Sequence, residues 1–342
     1  MDTVTHALLG ALVVRSTFPA ARSRQALTDR QRMTAGAIAG AFPDIDYVAS
    51  WADSMVYMTL WHRSITHSFV LLPLWALLVG VVLAFLFKQR RAWPFLALLA
   101  GVAILSHILA DLITVFGTQI LAPLSGWRAS IGTTFIIDPW FTAIVLAGFL
   151  AGLNRHPGWL PRLSLVLLSV YIGFQGILKF QALALAHAWM RQANIPAANA
   201  TALPQPASPF NWKLIIENGD RYDVAYVNLA GGYSSDGATA GFWNGVRTTY
   251  MAPDRLSWKT YKRFGPGDRS NDIHTLWKNP QLDYFRRFAE FPVLYRVDNT
   301  TDRRCVWFTD LRYVLPYMTP PFRYGLCQDD APANWKMERL RN

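Results

Sequence analysis

The chain has 342 residues, of which 52% are hydrophobic and 16% charged, with a net charge of +11 and a mean hydropathy of +0.16. That composition is too apolar for a disordered chain, and the length and greasiness together exclude a single ordinary soluble domain. Cut after Met190, the first part carries 13 Lys+Arg, 7 Asp and no Glu, while the second carries 20 Lys+Arg and 15 Asp+Glu, so two segments of different character are joined.

In chain order, Val4–Val14 and Met33–Ser50 are short stretches rich in Ala and Gly, a composition that close helix packing in a membrane tolerates. Met1–Val14 has no basic leader region and no small-residue cleavage site, so it reads as a mature first helix. Four longer apolar runs follow, Phe69–Phe87, Trp93–Val115, Phe135–Leu153 and Leu163–Trp189, each near or above the roughly 20 residues that cross a bilayer. The expected fold of residues 1–190 is therefore an α-helical polytopic membrane domain of about six helices, some of them short.

Basic residues cluster between these runs. Arg15, Arg22, Arg24, Arg30 and Arg32 lie after the first helix, Lys88, Arg90 and Arg91 after the third, and Arg155 and Arg162 before the sixth. Under the positive-inside rule these three loops face the cytoplasm, which places the N-terminus and everything after Trp189 outside. Charges used to orient helices are poor evidence for nucleic-acid binding, and no nucleic-acid partner is expected.

Residues 191–209, rich in Ala, Pro, Asn and Ser, read as a linker. Beyond it, Tyr222–Leu229, Val293–Val297 and Cys305–Leu311 have the β-branched and aromatic content of strands, with a helix expected at Gln281–Ala289. Residues 210–342 are thus expected to form a mostly-β (α+β) domain outside the cytoplasm. Both cysteines, Cys305 and Cys327, fall there, where a disulfide persists.

Ionisable groups are costly inside membrane spans and mark function by default. His6, Asp44, Asp46, His62, His67, His107, Asp111 and Asp138 all lie in or beside the apolar runs, and imidazole with carboxylate is a zinc-type donor set. His107 and Asp111 are spaced i, i+4 and share a helix face, the spacing of a shared ion and equally of a helix-stabilising hydrogen bond. Pro43-Asp44-Ile45-Asp46 interrupts the second helix and aims two carboxylates out of it, although Asp-x-Asp after Pro is also a common helix-ending turn. His62-Arg63-Ser64-Ile65-Thr66-His67-Ser68 is the most specific stretch, with two histidines, three hydroxyls and an arginine directly before a helix. His6 alone reads as a packing residue, and Asp138, followed by Pro139, as a helix cap. The topology puts every one of these groups at one depth on the outer side, which independent packing accidents do not produce. A metal centre of one or two ions is expected.

The sequence here resembles the YdjM-like family of membrane-bound, metal-dependent hydrolases, also described as LexA-regulated inner-membrane proteins. The likeness runs through Thr5-His6-Ala7 with Gly10, Gly36–Asp46 (GAIAGAFPDID), His62–Ser68 (HRSITHS), Ser106–Asp111 (SHILAD) with Gly117-Thr118, and Pro123-Leu124-Ser125, over roughly the first 140 residues. Ser64 stands where the family pattern HRGxTHS has glycine. The scattered His and Asp on helices are more distantly similar to the zinc-dependent phospholipase C class. The resemblance implies a multi-pass protein of the bacterial inner membrane whose metal, Zn2+ or alternatively Mn2+, cleaves an ester or phosphoester of a lipid or lipid-linked substrate.

In that reading His6, Asp44, Asp46, His62, His67, His107 and Asp111 hold the metal, which activates a water. Asp44 or Asp46 serves as general base, and Arg63 grips a phosphate with its planar fork. Thr66, Ser68, Ser125 and Asp138 support the ligands or the substrate. The rival readings are a metal-ion or proton transporter on the same His/Asp site, with Gln175 and Lys179 along a path, and a membrane-anchored binding protein with a structural metal. Membrane lipids are the expected partners, and no oligomeric state follows from the sequence.

Overall fold

A computed structural model describes residues 1–18, 27–153, 158–195, 198–231, 242–267, 270–329 and 334–341. Arg22, Arg24, Arg155 and His156 lie outside them. The chain divides into two compact units, Met1–Ile177 and Leu178–Asn342.

The first unit is helical. Helices α1 (Thr3–Thr17) and α2 (Asp29–Ala41) pack backbone to backbone. Gly10, Gly36 and Gly40 permit it: a Cβ on Gly36 would stand 2.6 Å from the Gly10 carbonyl oxygen, and one on Gly40 2.6 Å from that of His6. After α2, Pro43 turns the chain into a 3-10 segment, Phe42–Trp51. A single turn, α3 (Ser54–Val56), capped by Asp53, runs into a π turn at Tyr57–Trp61 and a 3-10 turn at Ile65–His67. Then come α4 (Leu72–Leu86), α5 (Trp93–Leu112), α6 (Pro139–Leu153) and α7 (Trp159–Gln192). Leu83, Leu96, Leu99, Ile104 and Ile108 form a core between α4 and α5, and Leu9, Leu12, Phe141 and Val145 form another between α1 and α6.

Two helices are long and apolar enough to cross a bilayer, Arg90–Leu112 and Trp159–Gln192. The segments Ser54–His67 and Leu72–Leu86 pass the same test only as a pair bent by 74°. Of the six crossings read from hydropathy, α5 and α7 meet that length among the described residues, and α4 meets it only together with the Ser54–His67 arm. The helices at the other expected crossings are short: α1 and α6 have 15 residues each and α2 has 13, so α6 rises only about 22 Å.

The second unit holds two four-stranded antiparallel sheets, each with strands in chain order. The first comprises β1 (Asn199–Pro204), β2 (Asn211–Asn218), β3 (Arg221–Asn228) and β4 (Lys259–Lys262); the second, β5 (Pro292–Asn299), β6 (Arg303–Asp310), β7 (Arg323–Asp329) and β8 (Lys336–Arg339). Short helices α8 (Phe242–Thr249), α9 (Ser270–Trp277) and α10 (Asp283–Phe288) interleave with them, the last within the stretch read as helical from sequence. Three expected strands match β3, β5 and β6, whereas β1 lies in the stretch read as a linker. Its Ala and Thr side chains sit on a sheet covered by α7, so it did not need the bulk that marks a strand. Leu178, Ala182, Ala186 and Met190 of α7 pack against Trp212, Leu214, Ile216, Ala225 and Val227, which is why the unit boundary falls inside this helix and not at residue 190. Cys305 and Cys327 face each other across β6 and β7 and are disulfide-bonded.

Candidate metal centre

The glycine contact between α1 and α2 brings the Gly40 carbonyl next to α5, where it accepts a hydrogen bond from His107 Nδ1 at 2.6 Å. A carbonyl only accepts, so the neutral imidazole carries its proton on Nδ1 and turns the Nε2 lone pair inward. His67 is oriented in the same sense. Its Nδ1 lies 3.0 Å from Thr66 Oγ1 and 3.7 Å from the Asp46 carboxylate, and its Nε2 faces His107 Nε2 at 3.0 Å.

Two carboxylates close the group. Asp111 Oδ2 is 3.3 Å from His67 Nε2 and 3.4 Å from His107 Nε2, and Asp44 Oδ1 is 3.9 and 3.6 Å from the same two atoms. One ligand atom each from Asp44, His67, His107 and Asp111 falls within 4.8 Å of the others, with all but Asp44 fully buried. Ligands held at about 2.0–2.1 Å by a tetrahedral ion stand roughly 3.3 Å from one another, close to these separations. Asp111 Oδ2 is buried without a hydrogen-bond partner. Four acceptors turned toward one point, with no donor among them, fit a cation and little else.

The remaining residues singled out from sequence are near the group but in other roles. His6 stacks on His107 with ring centroids 3.6 Å apart, and its Nε2 donates to Asp111 Oδ1 at 3.1 Å. Asp111 Oδ1 also takes the N-terminal amine of Met1 and, at 2.9 Å, the Arg63 guanidinium. Arg63 has a left-handed backbone (φ 55°) that sends its side chain inward, where it donates to Thr114 Oγ1 at 2.6 Å and lies over the Phe116 ring. Fully buried and committed to Asp111, it is not placed to grip a substrate phosphate: beside a buried carboxylate, the attraction of the nearer charge wins.

Asp46 and His62 also stand outside the four. The Asp46 carboxylate accepts from the Arg63 backbone N–H at 3.0 Å and from Tyr57 OH at 3.3 Å, and lies 3.5 Å from His62 Nδ1. Tyr57 OH and His62 Nδ1 are 2.7 Å apart. The π turn explains their meeting, because i→i+5 pairing (His62 N–H to Tyr57 carbonyl, 2.8 Å) sets these two side chains side by side. Tyr57 was not singled out from sequence, and neither were Thr114 or the Gly40 carbonyl. An i, i+5 aromatic–His spacing carries no helical or strand signal.

Ser68 accepts from Val70 N–H at 3.0 Å and donates across to the Ala122 carbonyl, while Ser125 serves a local turn, accepting from Trp127 N–H at 3.1 Å. Thr66 alone of the three expected hydroxyls touches a ligand. Asp138 is the cap of α6, accepting from Trp140 and Phe141 N–H at 2.9 and 3.0 Å, and its other oxygen accepts from Tyr171 OH at 2.8 Å. Gln175 joins this same knot through Tyr171 at 3.1 Å, so it ties α7 to the cap of α6.

Residues 1–182 match the family described as YdjM inner membrane protein. A relative from Bacillus subtilis (strain 168), described as the uncharacterized protein YfhP, is 28% identical over 174 residues, 50% of this chain and 51% of the relative. The chain thus spans about half the length of that relative. No solved structure matches.

Proposed function

This chain belongs to the YdjM inner membrane protein family, and we propose that it is a membrane-bound metal-dependent hydrolase cleaving an ester or phosphoester of a lipid or lipid-linked substrate. The observation that carries the reading is the convergence of Asp44, His67, His107 and Asp111, four acceptor atoms in a membrane protein with no donor between them. Two imidazoles and two carboxylates suit Zn2+ first and Mn2+ second. When bound, such an ion polarises a scissile carbonyl or phosphoryl group and lowers the pKa of water.

The chain's own groups supply the rest. Asp44, the one part-exposed member of the four, marks the open side of the centre, and Thr3 Oγ1 fixes it by donating to Oδ2 at 2.6 Å. His62, held at Nδ1 by Tyr57 and Asp46, offers Nε2 as the proton acceptor at a part-exposed edge. Asp46 thereby steadies two histidines, His62 and His67. An outer-face position for the centre and a periplasmic second unit are supported by the Lys/Arg distribution and by the Cys305–Cys327 disulfide. The expected likeness to the zinc-dependent phospholipase C class rests on the His/Asp pattern alone and serves here only to choose test substrates.

Metal analysis of the purified protein beside His67→Ala and Asp111→Ala is the test. The wild type is expected to hold bound Zn2+ or Mn2+ and both variants to lose it. Wild type alone should then release product from phospholipids or lipid phosphates. Equal metal in all three proteins would refute the centre, and metal without turnover on any ester or phosphoester lipid would refute the hydrolase.

A further inference from the structure

Two irregular segments lie against each other at the centre, residues 42–69, which carry Asp44 and His67, and residues 117–137. They are stitched together: Gln119 N–H donates to the Arg63 carbonyl at 2.8 Å, Phe69 N–H to the Ile120 carbonyl at 2.9 Å, and Arg128 to the Thr59 and His62 carbonyls at 2.9 and 3.1 Å. What they expose is apolar. Trp51 and Leu124 are 79% and 78% exposed, and Ile45, Tyr47, Trp61 and Trp127 are more than half exposed. Asp53, the cap of α3, is the single exposed charged residue in both segments, since Arg63 is buried and Arg128 is turned onto carbonyls.

Water does not favour a surface of this kind, because large contiguous apolar patches on soluble surfaces mark docking sites. Hydrocarbon does not favour it either, because turn and 3-10 backbone exposed to lipid tails leaves N–H and C=O groups unpaired. The layer between them accepts both the irregular backbone and the Trp and Tyr rings. The surface is also continuous with an apolar face made for lipid: the Ser54–His67 arm meets α4 at the 74° bend, and Leu74, Leu77 and Leu78 of α4 are exposed. With α4 set along the membrane normal, an arm bent by that angle runs close to the membrane plane.

We propose that residues 42–69 and 117–137 form an interfacial collar seated among phospholipid headgroups, with Trp51, Trp61, Leu124 and Trp127 inserted into the lipid. Insertion is apolar, with no exposed cation to attract anionic lipid, so it does not depend on anionic headgroups or on salt. A centre beneath such a collar lies where phospholipids carry their ester and phosphoester groups.

The test places a nitroxide on full-length protein at Trp51→Cys, Trp61→Cys or Leu124→Cys, with Lys278→Cys as the water-exposed reference; the native cysteines are bonded to each other. In phosphatidylcholine bilayers, collisions with oxygen should exceed those with a polar nickel chelate several-fold at the three collar sites and not at residue 278. Adding phosphatidylglycerol or salt should leave the ratio unchanged. Collar labels as open to the nickel chelate as the reference would overturn the proposal. Labels reached by neither reagent would also overturn it, showing a protein surface on the collar, whether a second copy or another part of this chain. Metal content of the same samples separates the two readings, since bound metal with water-exposed labels sinks the collar alone.

Discussion

Arg63 shows how one residue changes role between sequence and fold. In the chain it sits between two histidines and looks like a phosphate grip; in the structure three donors, the Met1 amine, His6 and Arg63, converge on Asp111 Oδ1 and leave Oδ2 for the centre. Replacing Arg63 by Met leaves the fully buried Asp111 short of a charge partner, a change that costs about 3–5 kcal/mol when a buried pair is broken. Metal affinity should fall about 10–100-fold, the usual effect of losing a group that orients a ligand. Competition with a chelator measures the affinity. An unchanged affinity with weakened substrate binding would return Arg63 to the phosphate role.

At the scale of elements, the site depends on α1 and α2 touching. The Gly40 carbonyl that fixes His107 and the backbone that carries His6 meet only because no Cβ stands between the two helices. Gly36→Ala must push them apart and is expected to destabilise the protein by about 1–3 kcal/mol, as overpacking does. Gly173→Ala in α7, where a Cβ would meet nothing within 4 Å, should be neutral or slightly stabilising. Thermal melting in detergent compares the pair, and equal midpoints would mean that the close helix contact does not hold the first unit together. The motif glycines were visible in the sequence, but their partner was not, because the Gly10 and Gly36 contact joins positions 26 residues apart.

Of the molecule's two units, one buries a lysine amine whose titration should make its stability follow pH. In the second, Lys213 of β2 is fully buried and donates to the Leu311 carbonyl at 2.7 Å and to that of Val314, linking the first sheet to the chain after β6. Burial pushes its amine down to about 7, against the opposing pull of Asp310. The unfolded chain, with an ordinary lysine near 10.4, then binds more protons than the native state between those values. Stability of this unit should therefore rise as pH increases from about 7 to 9.5, and the contribution is lost as pH falls toward 7. Above pH 10 the sign turns, because Tyr222 is held up to about 12 and resists ionising in the fold. Denaturant midpoints of wild type and Lys213→Met at pH 7 and 9 check this; an equal pH slope in both would remove Lys213 as the cause.

By itself the sequence determined the division into a greasy helical part and a β-rich part, the strands at β3, β5 and β6, and the residue types of the centre. Those are properties of composition and of short periods, which a single chain displays openly. Only the tertiary structure decided which four of the eight His and Asp groups meet, that Arg63 is spent on Asp111, and that α7 lends its last turns to the first sheet. Each of these depends on contacts between positions tens of residues apart, where burial and hydrogen-bond acceptors choose among partners that look equivalent along the chain.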